Sequence, residues 1–189
     1  MSRVLVLGDA TDAAVLRGWL VARAQVVDEV ARSHSELGCL RLRADDGTEI
    51  AVLEEHVADV AYATLDGDPP TVAEWAQTIG ERVGVVGVAA VLGMLGEDPR
   101  GWIRGLSRLA LLRGDGGDGA EPEANVRAAM VDAWERALAH PHRAVRRAAI
   151  RTCHGAKWPE IAMLVRARVG VDHELRGALQ QLAVHLNRG

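Results

Sequence analysis

The 189-residue chain is 49% hydrophobic and 25% charged, the composition of an ordinary soluble protein, and its richness in Ala, Arg, Gly and Val is typical of a GC-rich bacterial genome. Its two cysteines, Cys39 and Cys153, lie far apart and form no C-x-x-C pattern, which argues against a disulfide framework and a zinc ribbon. We find neither the long apolar segment of a signal peptide near the start nor an apolar run of the ~20 residues that span a bilayer, so we expect a cytoplasmic protein without membrane contact.

Charge is distributed unevenly along the chain. Residues 1–80 carry 6 Lys and Arg against 14 Asp and Glu, whereas residues 81–189 carry 16 against 12. The overall net charge of −4 therefore comes from the first part alone. Such a difference indicates two structural units, and it is weaker evidence for two functional surfaces.

The first part of the chain opens with a strand, a turn and a helix. Residues 3–7 form a short aliphatic run that ends at Gly8, as expected of a β-strand. Asp9, Thr11 and Asp12 then offer oxygens that can cap the start of a helix over roughly 12–23. This opening resembles the start of a nucleotide-binding α/β unit, but one glycine and no phosphate-loop lysine do not make a phosphate cradle. We therefore interpret Asp9 and Asp12 as helix caps.

A hairpin and a second helix are expected next. Residues 39–43 alternate between apolar and polar side chains, and Ile50 and Val52 repeat the alternation after Asp46-Gly47, a sequence typical of hairpin turns. Residues 54–65 have a helical pattern. The pattern predicts a small β-α-β-β-α domain over residues 1–66.

Every periodic segment after the turn at 66–70 is helical. Thr71 and Glu74 have the spacing of a capping box for a helix over 71–80, and the apolar stretch 83–95 is expected to be a buried helix. The Gly- and Asp-rich segment 114–121 is expected to be a flexible loop, because its acidic residues do not have the spacing of a calcium-binding loop. The sequence predicts an all-helical domain over 71–189, so the fold class is α+β. The further helices are expected at 99–113, 122–139, 141–153, 159–169 and 172–187.

Three of these helices share a short sequence pattern. An aliphatic residue followed by Arg recurs at Ile103-Arg104, Val145-Arg146 and Leu175-Arg176, each a few residues after an Asp or Pro turn. The pattern resembles the second helix of a HEAT repeat, and the resemblance covers residues 84–187; the first part of the chain has no such resemblance. It implies an α-solenoid in which each helix pair buries its apolar face against its neighbours. We expect the repeated arginines to serve packing between repeats.

The helix predicted at 141–153 carries an arginine stripe, which we define as Arg143, Arg147 and Arg151. These residues recur every four positions and share one side of the helix, opposite an apolar side that includes Val145 and Ala149. The HEAT resemblance implies that the second helix of each pair lines the concave surface, with Lys157 nearby. Guanidinium groups suit carboxylate and phosphate recognition. A solvated helix face without a ligand is the alternative interpretation.

Two further features are candidate binding groups. Trp158 precedes Pro159 in a turn, and we expect it to be the most exposed of the five tryptophans, where it would suit a protein contact. His140, His142, Cys153 and His154 have the chemistry of zinc ligands. However, residues 142 and 153 are about 16 Å apart along a helix, too far to share one ion. No metal site, no cofactor and no catalytic residues are therefore expected.

These observations favour a non-enzymatic interaction module, such as an adaptor, a regulatory subunit or an inhibitor, that binds an acidic partner protein through Arg143, Arg147, Arg151, Lys157 and Trp158. The alternative is a nucleic-acid-binding protein that uses the same groove, although the second part of the chain is only weakly basic. An enzyme with its site around Asp9 and Asp12 is the third hypothesis. The oligomeric state stays open, since an exposed end of the helix stack leaves room for a dimer.

Overall fold

The computed structural model describes residues 1–31, 37–55, 58–96, 98–113, 122–156 and 158–187. The described residues form five strands and eight helices, in two compact units, the first over Met1–Gly87 and the second over Val88–Arg113 and Pro122–Gly189. The α+β class is thereby confirmed. In chain order the elements are β1 (Ser2–Val6), α1 (Ala10–Val21), β2 (Gln25–Val30), β3 (Gly38–Arg43), β4 (Glu49–Glu55), β5 (Val60–Asp66), α2 (Pro69–Arg82), α3 (Val88–Gly93), α4 (Pro99–Leu112), α5 (Ala124–Leu138), α6 (Arg143–Cys153), α7 (Pro159–Val169) and α8 (Arg176–Leu186).

The first unit contains an antiparallel sheet with the strand order β1-β5-β4-β3-β2. The predicted hairpin is present as β3 and β4, and its turn requires glycine because Gly47 has a φ of 86°. The backbone N–H of Thr48 donates to Asp46 Oδ1 over 2.8 Å. This N–H donor, followed by the Thr48 hydroxyl, holds the pKa of Asp46 below its ordinary value. The turn is therefore fixed by its own side chains.

Two strands of this sheet differ from the prediction. The helix expected over 54–65 is wrong, because β4 continues to Glu55 and β5 follows. Within β5 the buried Ala61, Ala63 and Leu65 point into the core beneath the helices, so a period of two governs this segment. β2 was not expected at all, since its six residues are all exposed and carry no core pattern.

The core of the first unit lies between the sheet and two helices. Leu16 and Leu20 of α1 and Val72 and Ile79 of α2 are fully buried against the sheet. α2 therefore packs in the first unit, and the boundary between the units falls after Gly87 rather than in the turn at 66–70. The capping residue of α2 also differs from the prediction: its N-cap is Asp68, and Pro69 and Pro70 occupy the first helical positions.

The helix expected over 83–95 is shorter than predicted. Only α3 is helical, because the residues before it pair with β1. The N–H of Gly8 donates to the carbonyl of Gly84 over 2.8 Å, and the N–H of Val86 donates to the carbonyl of Val6 over 2.9 Å. These bonds cover the outer edge of β1. Pairing with β1, which is distant in the sequence, thus prevents the residues before α3 from forming the helix that their local apolar pattern predicts.

The helices of the second unit pack as three pairs, α3 with α4, α5 with α6, and α7 with α8. Neighbouring pairs also touch through like members: α3 packs on α5, α5 on α7, α4 on α6, and α6 on α8. The first helices of the pairs therefore lie side by side, and so do the second helices.

Contacts at both ends of the helices show that α4, α6 and α8 run in the same direction. At the start of α4, the Trp102 ring lies 5.6 Å from the ring of His140, which precedes α6. At the end of α4, Arg113 Nη1 donates to the carbonyl of Thr152 in the last turn of α6 over 2.8 Å. The Arg113 guanidinium also fills the space in which a Cβ on Gly155 would lie. The carboxyl ends of these two helices consequently meet at one edge of the unit.

Candidate partner-binding surface

α6 separates buried and exposed residues as its sequence predicts. Val145, Ala148, Ala149 and Thr152 are buried against α4 and α5. The three residues of the arginine stripe are exposed on the other side of the helix. Four residues of α-helix rise about 6 Å, so the stripe is about 12 Å long.

The three arginines of the stripe differ in their partners. Arg143 Nε lies 3.0 Å from Glu174 Oε1, in an ion pair whose side chains are 56% and 47% exposed. Arg147 and Arg151 make no hydrogen bond or ion pair with any residue that the structure describes. The stripe therefore presents two unneutralised guanidinium groups and one that a carboxylate already neutralises.

Arg146 has a packing role, as expected of the repeated arginine. Its Nε lies 2.7 Å from Asp172 Oδ2, with only 15% and 11% of the two side chains exposed. Its Nη1 donates to the carbonyls of His140 and Pro141 over 3.0 and 2.9 Å, and its Nη2 contacts Glu174. Arg146 thus ties the start of α6 to the turn before α8, whereas Arg176 contacts the neighbouring His173.

The contacts of Asp172 determine its charge state. Partial burial raises the pKa of this carboxyl, but the N–H of Leu175, the Arg146 guanidinium and the N–H of Glu174 outweigh burial and hold the pKa below its ordinary value of 3.8. Asp172 is therefore an anion at neutral pH. Asp172 and Glu174 therefore neutralise Arg146 and Arg143 at the end of the surface where α6 begins.

Two histidines, which we call the imidazole pair, meet at the opposite end of α6. The rings of His154 and His185 stack with their centroids 3.7 Å apart and their planes inclined by 19°, and both residues are exposed. His154 is the C-cap of α6, and His185 lies in the last turn of α8. This pair is not predictable from the sequence, because nothing in the spacing within one helix indicates a partner on another helix.

The expectation of an exposed Trp158 is wrong. This side chain is only 7% exposed and packs edge to face on the buried Trp134, with ring centroids 5.9 Å apart. The Arg127 guanidinium lies 5.2 Å from the centre of the same ring and pairs with Glu160 over 2.6 Å. Trp158 therefore fills the contact between α5 and α7, and it cannot reach a partner. The predicted binding residue Lys157 lies outside the described residues.

The zinc ligands considered from the sequence do not converge. His140 Nδ1 accepts the N–H of His142 over 3.0 Å, so its side chain supports the start of α6, while His142 is an N-cap that makes no side-chain capping bond. Cys153 is buried, and burial raises the pKa of its thiol to about 12, which disfavours the thiolate that metal binding or nucleophilic attack requires. Among the described residues no three His, Cys, Asp or Glu side chains are placed to hold one metal ion.

The first unit contains a cavity, but not where an α/β nucleotide site would lie. A space of about 440 Å³ opens on the face of the sheet opposite α1 and α2, where Cys39, Arg41, Leu53 and Tyr62 are among its lining residues. Burial raises the pKa of Tyr62. Asp9 and Asp12 are not part of this lining, and they form the predicted cap of α1, in which the Asp9 side chain accepts from the N–H of Asp12. The cap interpretation of both residues is confirmed.

None of the helices in the described ranges combines the length and the apolar character that crossing a bilayer requires. No protein-family model matches this chain, and neither a curated protein nor a solved structure matches it.

Proposed function

We propose that the protein is a non-enzymatic interaction module in which a HEAT-like helical unit binds an acidic partner protein along α6. The observation that carries the proposal is the pair of exposed guanidinium groups of Arg147 and Arg151, which no described residue neutralises. Binding to carboxylates would supply the hydrogen bonds and the opposite charge that these groups lack.

The HEAT-like architecture is supported by the arrangement of the helices. Three helix pairs pack in succession, and α4, α6 and α8 are direct neighbours. The same three helices carry the repeated aliphatic-Arg pattern at Ile103, Val145 and Leu175. In such a stack the second helices form one continuous surface, which suits the binding of an extended partner segment.

An acidic protein fits this surface better than nucleic acid does. The two unneutralised arginines are about 6 Å apart along the helix, and beyond them lie the Arg143–Glu174 pair and Asp172. A nucleic-acid backbone carries a phosphate at every step and would continue past these two arginines onto an end whose guanidinium groups are already paired with carboxylates. A short acidic protein segment can end before it reaches them.

The test is affinity capture from a lysate of the source organism, with and without nuclease, using the wild type and two charge-reversal variants. Arg147→Glu with Arg151→Glu alters the stripe. Arg41→Glu with Arg100→Glu is the matched control, because both residues are exposed and lie on β3 and α4, outside the stripe. Circular dichroism melting should show that both variants remain folded.

We expect a specific protein that survives nuclease treatment, is retained by the control and is reduced at least tenfold by the stripe variant. Loss of the captured material on nuclease treatment would contradict the proposal in favour of nucleic-acid binding. Equal capture by both variants would also contradict it, since the stripe would then have no role.

A further inference from the structure

The contacts between α6 and α8 fix the register of the two helices. Arg143 pairs with Glu174 at one end, and His154 stacks on His185 at the other. Each pair joins residues that are 31 positions apart in the sequence. α6 and α8 therefore run side by side in register over the whole length of α6, and the imidazole pair belongs to the same surface as the arginine stripe.

The imidazole pair extends the unneutralised part of the stripe by one turn. Arg147, Arg151 and His154 have the spacing i, i+4 and i+7, which places them on one side of α6. His185 brings α8 to the same place. The surface thus has a fixed order along α6: a carboxylate-neutralised end at Arg143, two free guanidinium groups, and two exposed imidazoles.

From this order, and on the basis of the function proposed above, we propose that an acidic helix of the partner docks along α6 and ends on the imidazole pair, so that its affinity increases on acidification. Carboxylates four residues apart on a helix rise by about 6 Å per step, the same rise that separates Arg147 from Arg151. Imidazole is the side chain that ordinarily changes its charge between pH 5 and 8. Partner carboxylates remain ionised over most of that range.

The imidazole pair lies at helix ends and has no carboxylate counter-ion among the described residues. Both histidines lie at the carboxyl ends of helices, where the helix dipole stabilises a cation. No salt bridge connects either imidazole to a carboxylate within the described part of the chain. A partner carboxylate can therefore supply the counter-charge.

Among the described residues, the titratable groups near this end of α6 are mostly cationic, apart from Glu160 and the neutral thiol of Cys153. They are Arg151 and the buried thiol of Cys153 on α6, Arg113 at the end of α4, Arg127 on α5 in its pair with Glu160 of α7, and Arg166 of α7, which contacts Asn187 after α8. A carboxylate of the bound helix that reaches the imidazole pair therefore lies among these cations.

The experiment measures binding of a synthetic 16-residue helical peptide with Glu at every fourth position, by fluorescence anisotropy at pH 7.5 and pH 5.5 and constant ionic strength. A peptide with Gln in place of Glu and a 20-base-pair DNA duplex are the comparison ligands. The protein is used as the full chain, in the wild type, in His154→Gln with His185→Gln, and in His142→Gln. His142 is the control, because it is exposed and lies at the other end of α6.

We expect the Glu peptide to bind about fivefold more tightly at pH 5.5 than at pH 7.5, the ratio that one added unit charge a few ångströms away gives in a water-like dielectric. His142→Gln should keep this ratio, and the double histidine variant should reduce it to about one. A pH response that persists in the double variant overturns the inference. So does an absent pH response, the absence of peptide binding at both pH values, or tighter binding of the duplex than of the peptide.

The Arg147→Glu, Arg151→Glu variant separates this inference from the proposed function. If it abolishes peptide binding while the wild type shows no pH response, the stripe binds acidic helices but the imidazole pair does not regulate it. If it binds the peptide as the wild type does, the proposed function fails as well.

Discussion

The side chains that anchor the helices donate hydrogen bonds to different kinds of acceptor in the two units. In the first unit, side-chain carboxylates hold the donors: Arg17 pairs with Glu29 and Glu54 over 2.6 and 2.9 Å, and Trp75 Nε1 donates to Asp46 over 2.9 Å. In the second unit, arginines also donate to backbone carbonyls near the helix ends, as Arg113 and Arg146 do. A lost arginine in the second unit therefore leaves backbone acceptors without their donor, whereas a lost carboxylate in the first leaves a partly hydrated side chain.

Arginine side chains occur in two kinds of environment in the molecule. Arg17 and Arg146, with side chains 20% and 15% exposed, each form ion pairs with two carboxylates. Arg147 and Arg151 are exposed and unpaired within the described residues. The two mostly buried arginines thus hold neighbouring elements together, whereas the two exposed arginines on α6 make no such contact within the described residues.

Substitution of a buried core residue in one unit should have the largest effect, and it shows whether the two units are stabilised separately. Trp134 is fully buried and donates through Nε1 to Thr152 Oγ1 over 3.0 Å, so Trp134→Ala should lower the free energy of unfolding of the second unit by about 3–5 kcal/mol. Residue-resolved hydrogen exchange should show lost protection in α5 to α7 and unchanged protection in the sheet. Ile79→Ala should give the reverse pattern, and equal loss in both units in either variant would contradict separate stabilisation.

Removal of the paired arginine on α6 should come next. Arg146→Ala leaves the partly buried Asp172 without its cation and two carbonyls without their donor, so we expect a loss of about 2 kcal/mol in urea unfolding. The neighbouring Arg147→Ala is the control and should change stability by less than about 0.5 kcal/mol. Similar effects of the two substitutions would contradict the division between paired and free arginines.

Measurement of stability as a function of pH should reveal the contribution of Asp172, the carboxylate that pairs with Arg146. Because the pKa of Asp172 is lowered in the folded protein, its contribution is present above the ordinary value of 3.8 and is lost as the pH falls through the folded-state value. Asp172→Asn should cost about 1 kcal/mol at pH 7 and should weaken the loss of stability below about pH 4. If the free energy of unfolding of Asp172→Asn, measured with urea, falls at low pH as steeply as that of the wild type, this carboxyl does not couple folding to pH.

Removal of an N-cap side chain should have the smallest effect, and the size of that effect should differ between the two helices of the first unit. Asp9 caps α1 through its side chain, so Asp9→Ala should cost about 1 kcal/mol. Asp68 is the N-cap of α2 but makes no side-chain capping bond, so Asp68→Ala should cost only about a few tenths of a kcal/mol. Thermal melts of the two variants provide the comparison, and a larger shift for Asp68→Ala would contradict it.

Local patterns in the sequence predicted the helical unit well, and they predicted the sheet only in part. The starts of α4 and α7 were found because Pro99 and Pro159 mark them within the chain itself. β5 was missed because the Ala-rich segment has helical propensity, although Val60, Tyr62 and Thr64 alternate with the core residues as a strand would require. The pairing of Val86 with Val6 depends on residues 80 positions away, which no local pattern contains.

The candidate surface shows the same division. The exposure of the arginine stripe follows from helical spacing and was predicted. The neutralisation of Arg143 by Glu174, the stacking of the imidazole pair and the burial of Trp158 all depend on which helices are neighbours. Local periodicity cannot supply that information, so the sequence located the cations without showing which of them are free.

The close approach of Arg113 to Gly155 has a consequence for the protein's evolution. A side chain at position 155 would displace the guanidinium and break its bond to the carbonyl of Thr152. Substitution at one position therefore changes which residues the other tolerates. In homologous proteins we expect positions 113 and 155 to covary, with a short side chain at 113 more frequent where 155 is not glycine, because the end of the Arg113 side chain must move to admit a Cβ at 155.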